Sequence, residues 1–333
     1  MARIPSGPEP KTRLVYILAA SHSGSTLLAS LFGCHAEVCT AGELKLTSLG
    51  DITRYLCSCR APVEQCPFWL AVSEEMERRG FPFSIRDPGT DIRAGANAYV
   101  SRLLQPLHRG PFLEHLRDAA LSLSSWWRAH LPKVQARNAA LTASICARTG
   151  KPVLVDSSKI ALRLKYLLRT DGLDVKVIRL IRDGRGVALT YTDPANLADA
   201  KDQHLRGGGT GESRDHERIS LTSAAWEWRR SNEEAEAILA QLPQDRWTEV
   251  RYETLCAEQE TTMGRLFSFI GVDPERGRNR LRSGEHHIIG NGMRFDTTSD
   301  VVLDERWRHM LKADQLQLFD TIAGQVSRRL GYM

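Results

Sequence analysis

Three short apolar runs constrain the architecture more than anything else in the chain. Leu14–Ala20 (LVYILAA), Pro152–Asp156 (PVLVD) and Val175–Ile181 (VKVIRLI) are each one strand long, rich in Val, Ile or Leu, and followed by a segment of helical character. Near-continuous apolar strands are buried on both faces, and strands alternating with helices predict an α/β fold: a central parallel sheet flanked by helices. A fourth run, Arg246–Tyr252 (RWTEVRY), is expected to add a strand. Two helices are legible from their stripes. Ile160, Leu164, Leu167 and Leu168 share one face, as do Met263, Leu266, Phe267 and Ile270 before a capping Gly271.

The stretch from about 50 to 150 has no good strand and reads as mainly helical, an insertion expected to cover the acceptor side of an active site. Residues 197–216 are polar and contain Gly207, Gly208 and Gly209 in a row, the composition of a mobile loop or lid. Residues 1–12, rich in Pro and charge, read as a loose tail, leaving 13–333 as one domain. Hydrophobic residues at 42% and charged residues at 26% are those of a soluble globular chain. A net charge of +5 suits an anionic ligand but is too small, and too dispersed, to imply nucleic acid. No apolar run is long enough for a membrane span, and Leu14–Ala20 enters a Ser/Gly loop instead of a signal-cleavage site. Seven cysteines, an odd number without a secretory signal, argue against a disulfide framework. The expected compartment is the cytoplasm.

The first strand runs into Ser21-His22-Ser23-Gly24-Ser25-Thr26, and then a helix with Leu27, Leu28, Leu31 and Phe32. Small residues let a backbone wrap an anion, and a helix N-terminus aims free N–H groups at it. The hydroxyls of Ser23, Ser25 and Thr26 could add donors. An ordinary strand-to-helix turn has the same outline. A triphosphate-binding loop would need Gly-Lys-Ser/Thr, and here Gly24 is followed by Ser-Thr, which argues against a small-molecule kinase. The third strand is followed by Arg182, at the carboxyl end where open α/β sheets bind ligands, with Thr190 two turns into the next helix. The planar guanidinium fork suits a phosphate, although a surface salt bridge would also account for a lone Arg.

Together these two segments resemble the sulfotransferases that use 3′-phosphoadenosine 5′-phosphosulfate (PAPS). His22-Ser23-Gly24-Ser25-Thr26 is similar to their 5′-phosphosulfate loop, with His22 where the family has Lys or Arg. A protonated His22 would stabilise charge on the leaving phosphate, but an imidazole of ordinary pKa, roughly 6.5, is neutral at pH 7. Arg182 and Thr190 stand at the eight-residue spacing of the family's 3′-phosphate ligands, with Thr in place of Ser. The resemblance spans about 13–48 and 152–295. It implies a P-loop-like sulfotransferase fold, PAPS as co-substrate with Ser21–Thr26, Arg182 and Thr190 binding it, no required metal, and transfer to a hydroxyl of a small molecule, carbohydrate or peptide. Asp156-Ser157-Ser158-Lys159 is similar to a segment beside the donor in bacterial members, so Lys159 is a candidate for stabilising the sulfuryl or bridging oxygen. Ile288–Arg294 resembles the late glycine-containing loop over the nucleotide, with Arg294 a candidate 3′-phosphate ligand.

Transfer also needs a base. Glu43, after the first helix, resembles the catalytic Glu of the carbohydrate- and protein-tyrosine-modifying branches; a carboxylate at a helix N-terminus is the plain alternative. Members modifying steroids and phenols use a His near the Asp156–Lys159 segment, which here contains none. The missing loop cation leaves open a protein that binds PAPS without turnover. Cys57, Cys59 and Cys66 cluster in the insertion. With Cys39 or His35 they could hold zinc, Cys59 and its neighbours could form a redox disulfide, or all could be plain structural thiols; the spacing departs from the usual zinc pairs. His286-His287 and the pairs Trp126-Trp127 and Trp226/Trp228 are expected to shape a loop and to fill core or lid, respectively.

Overall fold

In the structure, a computed structural model, β1 (Thr12–Ala19) is the middle strand of a five-stranded parallel sheet. It lies between β3 (Val153–Lys159) and β4 (Leu173–Ile181), with β2 (Val38–Gly42) outside β3 and β5 (Trp247–Arg251) outside β4. The described residues are 11–46, 49, 51–105, 110–212, 214–277, 287–295 and 301–332; most of the expected tail and His286 lie outside them.

Alternation along β1 explains its unbroken apolar sequence. Leu14, Tyr16 and Leu18 enter one core with Leu154, Val175, Leu141 and Ile145, whereas Val15 and Ile17 enter the opposite core with Leu28, Phe32, Val155 and Phe267. Successive strand side chains face opposite sides, so a strand covered on both must be apolar throughout. The first face is covered by α5 (Ser125–Thr149) and α6 (Ala161–Leu167), the second by α1 (Ser25–Gly33) and the helix Gln259–Ile270. A third cluster joins α7 (Gly184–Thr192) to the helices Leu221–Leu239 and Ala313–Arg329 around the buried Trp228 and Phe319. Of the other tryptophans noted in the sequence, Trp127 is buried and Trp226 is 46% exposed.

The expected central parallel sheet is present, and one strand was not legible in advance. β2, Val-Cys-Thr-Ala-Gly, lacks a β-branched or leucine-rich run, yet all five residues are buried: the strand pairs with β3, Val38 enters one core and Cys39 and Ala41 the other, and Ile289 bridges to Gly42. The helical insertion therefore separates the second and third strands, not the first and second. Between them lie α2 (Pro67–Arg78), α3 (Ala98–Leu103), α4 (Gly110–Leu123) and α5, with no named strand among the described residues.

A buried carboxylate fixes the upper end of β3. Asp156, fully buried, accepts from the backbone N–H groups of Leu44 (3.1 Å) and Ser158 (2.9 Å) and pairs with the Arg163 guanidinium at 3.3 Å. Arg163 is itself 4% exposed and donates to Thr90 O (2.8 Å) and Asn138 Oδ1 (2.7 Å). One side chain thus ties the exit of β2, the end of β3 and the insertion together. Removing one partner of such a buried pair strands the other charge. Arg163→Met is expected to lower unfolding free energy by about 3–5 kcal/mol; urea denaturation showing a loss below about 1 kcal/mol would mean that the pair is not sequestered from water.

Candidate functional site

The carboxyl ends of β1, β2, β3 and β4 open onto a cavity of about 520 Å³. Its walls include Ser21, His22, Gly24, Ser25 and Thr26 from the turn after β1, Glu43 and Lys45 after β2, Ser158 and Lys159 from β3, and Arg182 and Thr190 after β4. The two segments singled out by sequence, at Ser21–Thr26 and at Arg182/Thr190, therefore share one chamber. They also touch: Arg182 Nη1 donates to His22 O at 2.8 Å.

Glycine at position 24 is a geometric requirement. It caps α1 with φ +91°, and a Cβ there would stand 2.6 Å from the Tyr252 ring. That conformation, strained for other residues, turns the chain so that Ser25 and Thr26, both lining the chamber, open the helix, where backbone N–H groups lack intrahelical partners. Ser23 departs from expectation: it is buried, 1% exposed, and does not line the cavity, and its Oγ has no hydrogen-bond partner among the described residues.

His22 is the sharpest departure from a loop with a fixed cation. Its imidazole packs edge-on to Tyr191, centroids 4.5 Å apart. Burial, and then the positive charges of Arg214, Lys159 and Arg182, pull its pKa down to about 3. In the ligand-free protein His22 is thus neutral at pH 7, as an imidazole of ordinary pKa would also be.

Arg182 is 7% exposed, with its guanidinium over the Tyr252 ring (4.5 Å) and paired with Asp304 at 2.9 Å. Trp228 Nε1 donates to Arg182 O at 3.1 Å, so the helix Leu221–Leu239 fixes this turn. Burial pushes the Asp304 carboxyl up, but hydrogen bonds from Arg306 and the charge of Arg182 outweigh burial and hold it well below the usual carboxylate range. Asp304 therefore sits as an anion where an anionic ligand of Arg182 would lie. Thr190, 3% exposed, donates its hydroxyl to Gly186 O at 2.8 Å within α7.

Glu43 and Lys159 form an ion pair at the chamber wall. Glu43 leaves a strand, not a helix, so the helix-terminus alternative for it falls. Its backbone N–H donates to Ile289 O at 3.2 Å, and a Cβ on Gly42 would stand 2.0 Å from that same oxygen. Lys159 ends β3 with φ +69°, a conformation rare for a residue with a side chain.

Several expectations are revised by packing. Arg294 does not line the cavity; it is buried, and its guanidinium donates to the carbonyl oxygens of Leu56 (2.8 Å), Gly208 (3.4 Å) and Gly290. Asn291 and Met293 of the same loop line the chamber instead. The glycines at 207–209 dock on the insertion, where Leu56 N–H donates to Gly208 O at 2.8 Å. Among the described residues, none from 50 to 150 borders this chamber. Those residues line a neighbouring cavity of about 400 Å³, bounded by Ile85–Asp91 and sharing Lys45 with it. Cys57, Cys59 and Cys66 gather with His287, not with Cys39 or His35, and away from the chamber.

Sequence reading missed Lys45, Arg214 and Arg306, all of which line the chamber. Burial, and then repulsion from Arg93, lowers the Lys45 ammonium below its ordinary range. Arg214 pairs with Glu217 at 2.6 Å. None of the three falls within a motif; Arg214 sits in the polar stretch that resembled a lid, and only folding turns it inward.

A family model described as the sulfotransferase family matches residues 15–276. A mouse protein named carbohydrate sulfotransferase 5 is 29% identical over 216 residues, which are 60% of this chain and 53% of that protein, so the match spans about half the length of the relative. Among solved structures, the sulfotransferase domain of the Synechococcus PCC 7002 olefin synthase aligns over 97% of this chain and 98% of its own at 19% identity, TM-score 0.47. A sulfotransferase from Mycobacterium avium aligns over 97% and 78% at 12% identity, TM-score 0.48.

The burial of His22 is open to direct measurement. Its pKa is lower folded than unfolded, so the unfolded chain takes up the proton first and the native state loses stability as pH falls below roughly 6.5. In ligand-free protein, the His22 ring resonances, assigned by comparison with His22→Gln, are expected to stay constant from pH 8 to pH 5. A midpoint between 6 and 7 would show an imidazole open to water.

Proposed function

The chain belongs to the sulfotransferase family, and within it we propose that the protein moves a sulfuryl group from PAPS to an acceptor hydroxyl. The observation that supports this best is the meeting of two anion cradles in one chamber, with Arg182 bonded to the His22 carbonyl. A nucleotide phosphorylated at both the 3′ and 5′ positions has charge at both ends and fits such a pair of cradles.

In this reading the N–H groups opening α1 and the hydroxyls of Ser25 and Thr26 hold the 5′-phosphosulfate, while Arg182, backed by Thr190, holds the 3′-phosphate. Transfer is an in-line displacement at sulfur, in which positioning and charge stabilisation do most of the catalysis. Glu43 removes the proton of the acceptor hydroxyl as its oxygen bonds to sulfur. The bond from sulfur to the phosphate oxygen breaks, and Lys159 stabilises charge on that oxygen. With His22 neutral, the cationic field comes from Lys159, Arg182 and Arg214, which all act on the imidazole. No step calls for a metal.

The acceptor approaches, in this proposal, from the neighbouring cavity beyond Lys45. Arg86, Asp87, Thr90 and Asp91 on its wall offer hydrogen-bonding groups suited to a hydroxyl-rich molecule. A carbohydrate is the first class to screen, followed by phenolic metabolites and tyrosine peptides. The proposed compartment is the cytoplasm, where thiols stay reduced.

Arg182→Ala is expected to weaken adenosine 3′,5′-bisphosphate at least about tenfold in calorimetry. Asp304→Asn, which removes the anion competing for Arg182, is expected to tighten it. Unchanged affinity in both would separate this guanidinium from the 3′-phosphate. Glu43→Gln is expected to lower kcat by about a hundredfold or more while bisphosphate affinity holds; full turnover would assign the base elsewhere. Tight bisphosphate binding without transfer from PAPS to any acceptor class would make the protein a nucleotide binder instead of a catalyst.

A further inference from the structure

Outside the chamber, three thiols and an imidazole converge from segments more than two hundred residues apart in the chain. Cys57, Cys59, Cys66 and His287 each offer one ligand atom, and the four atoms all lie within 4.8 Å of one another. His287 Nδ1 is 3.3 Å from Cys66 Sγ and 3.7 Å from Cys57 Sγ, and Cys59 Sγ is 3.6 Å from Cys66 Sγ. For a tetrahedral zinc ion with Zn–S near 2.3 Å and Zn–N near 2.0 Å, the edges of the tetrahedron are about 3.8 Å between sulfurs and about 3.5 Å from sulfur to nitrogen. These three separations are close to such edges, and the other three are no longer than 4.8 Å.

The backbone is built to hold the ligands there. Arg60, at φ +67°, closes a tight turn in which its N–H donates to Cys57 O at 2.8 Å, bringing Cys57 and Cys59 to one point. Cys66 caps the N-terminus of α2. His287 is held by its neighbours: Phe68 stacks on its ring at 4.5 Å with an interplanar angle of 2°, and Ile288 N–H donates to Ser58 Oγ at 2.8 Å.

Charge balance points the same way. The buried Arg294 donates to Leu56 O, next to Cys57, and ion-pairs with no carboxylate among the described residues. Three thiolates around a divalent ion give a net charge of −1 (+2 − 3), a counter-charge for that guanidinium.

We propose that Cys57, Cys59, Cys66 and His287 bind one zinc ion in a closed, structural Cys3His site that staples residues 57–66 to the segment 287–290. Four protein ligands leave no position for substrate, so the ion acts on structure. Its reach extends to the chamber, because Ile289 pairs with β2 and accepts from the Glu43 backbone N–H.

The test is independent of sulfuryl transfer. The full-length chain, purified without chelator, is expected to contain about one zinc per chain by plasma mass spectrometry. Cobalt(II) added to the stripped protein is expected to give the intense visible bands of a tetrahedral ion and a sulfur-to-cobalt charge-transfer band. Cys59→Ser, at the most exposed ligand, is expected to weaken zinc at least about tenfold in competition with a chelating dye. Zinc far below one per chain with no charge-transfer band in wild-type protein would overturn the site. So would a Cys59–Cys66 disulfide mapped in protein that had been kept under reducing conditions with zinc. If Cys59→Ser does not fold, the cobalt spectrum of the wild-type chain decides alone.

Discussion

The Asp156 carboxylate is the contact on which the arrangement of this site depends. It sits inside the protein, bonded to two backbone N–H groups, the Ser158 hydroxyl and one guanidinium. A charge in that position is tolerable only if every lone pair finds a donor, so its surroundings are over-determined. The donors it selects flank the two residues proposed for the chemistry. Leu44 N–H fixes the chain just after Glu43, and Ser158 N–H fixes the chain just before Lys159. The proposed base and its cationic neighbour are thus set at one distance by a group that does not line the chamber.

The chamber gathers more positive charge than a protein can leave unpaired, and each principal cation has a carboxylate partner. Lys159 pairs with Glu43, Arg182 with Asp304 and Arg214 with Glu217. In the proposed function, an incoming polyanion need not wait for the cations to assemble; it would exchange with carboxylates already in place. This costs some affinity, since the carboxylates compete, but the cations are oriented in advance, which is where electrostatic catalysis gains most. It also accounts for a loop without Lys or Arg. A fourth fixed cation at position 22 would repel three existing ones, and the neutral imidazole avoids that.

The late segment 287–295 connects regions that the chain order separates. Its first residue faces the cysteine cluster, Ile289 extends the sheet edge beside β2, and Asn291 and Met293 reach the chamber. Arg294 then locks the segment to the insertion through Leu56 and to the glycine stretch through Gly208. The cysteine cluster and the Glu43 backbone thus contact the same short stretch of chain, which is packed and hydrogen-bonded on both sides.

The sequence by itself determined four of the five strands and the two loop segments, Ser21–Thr26 and Arg182/Thr190, that meet in the chamber, because these depend on local rules. An apolar strand followed by a small-residue turn and a helix specifies its own geometry, and Arg182 with Thr190 is fixed by one strand and one helix. It also named the partners Glu43 and Lys159, though not their shared anchor. What only the tertiary structure decided depends on contacts between distant segments. β2 is a strand because it pairs with β3, more than a hundred residues later, with Ile289 bridging its end at Gly42. His22 is neutral because burial and three cations from other elements surround it. Arg294 is spent on carbonyls, Lys45, Arg214 and Arg306 are turned inward, and His287 is brought to three cysteines more than two hundred residues away. Electrostatic environment and ligand convergence are properties of the space between chain segments, and no local pattern records them.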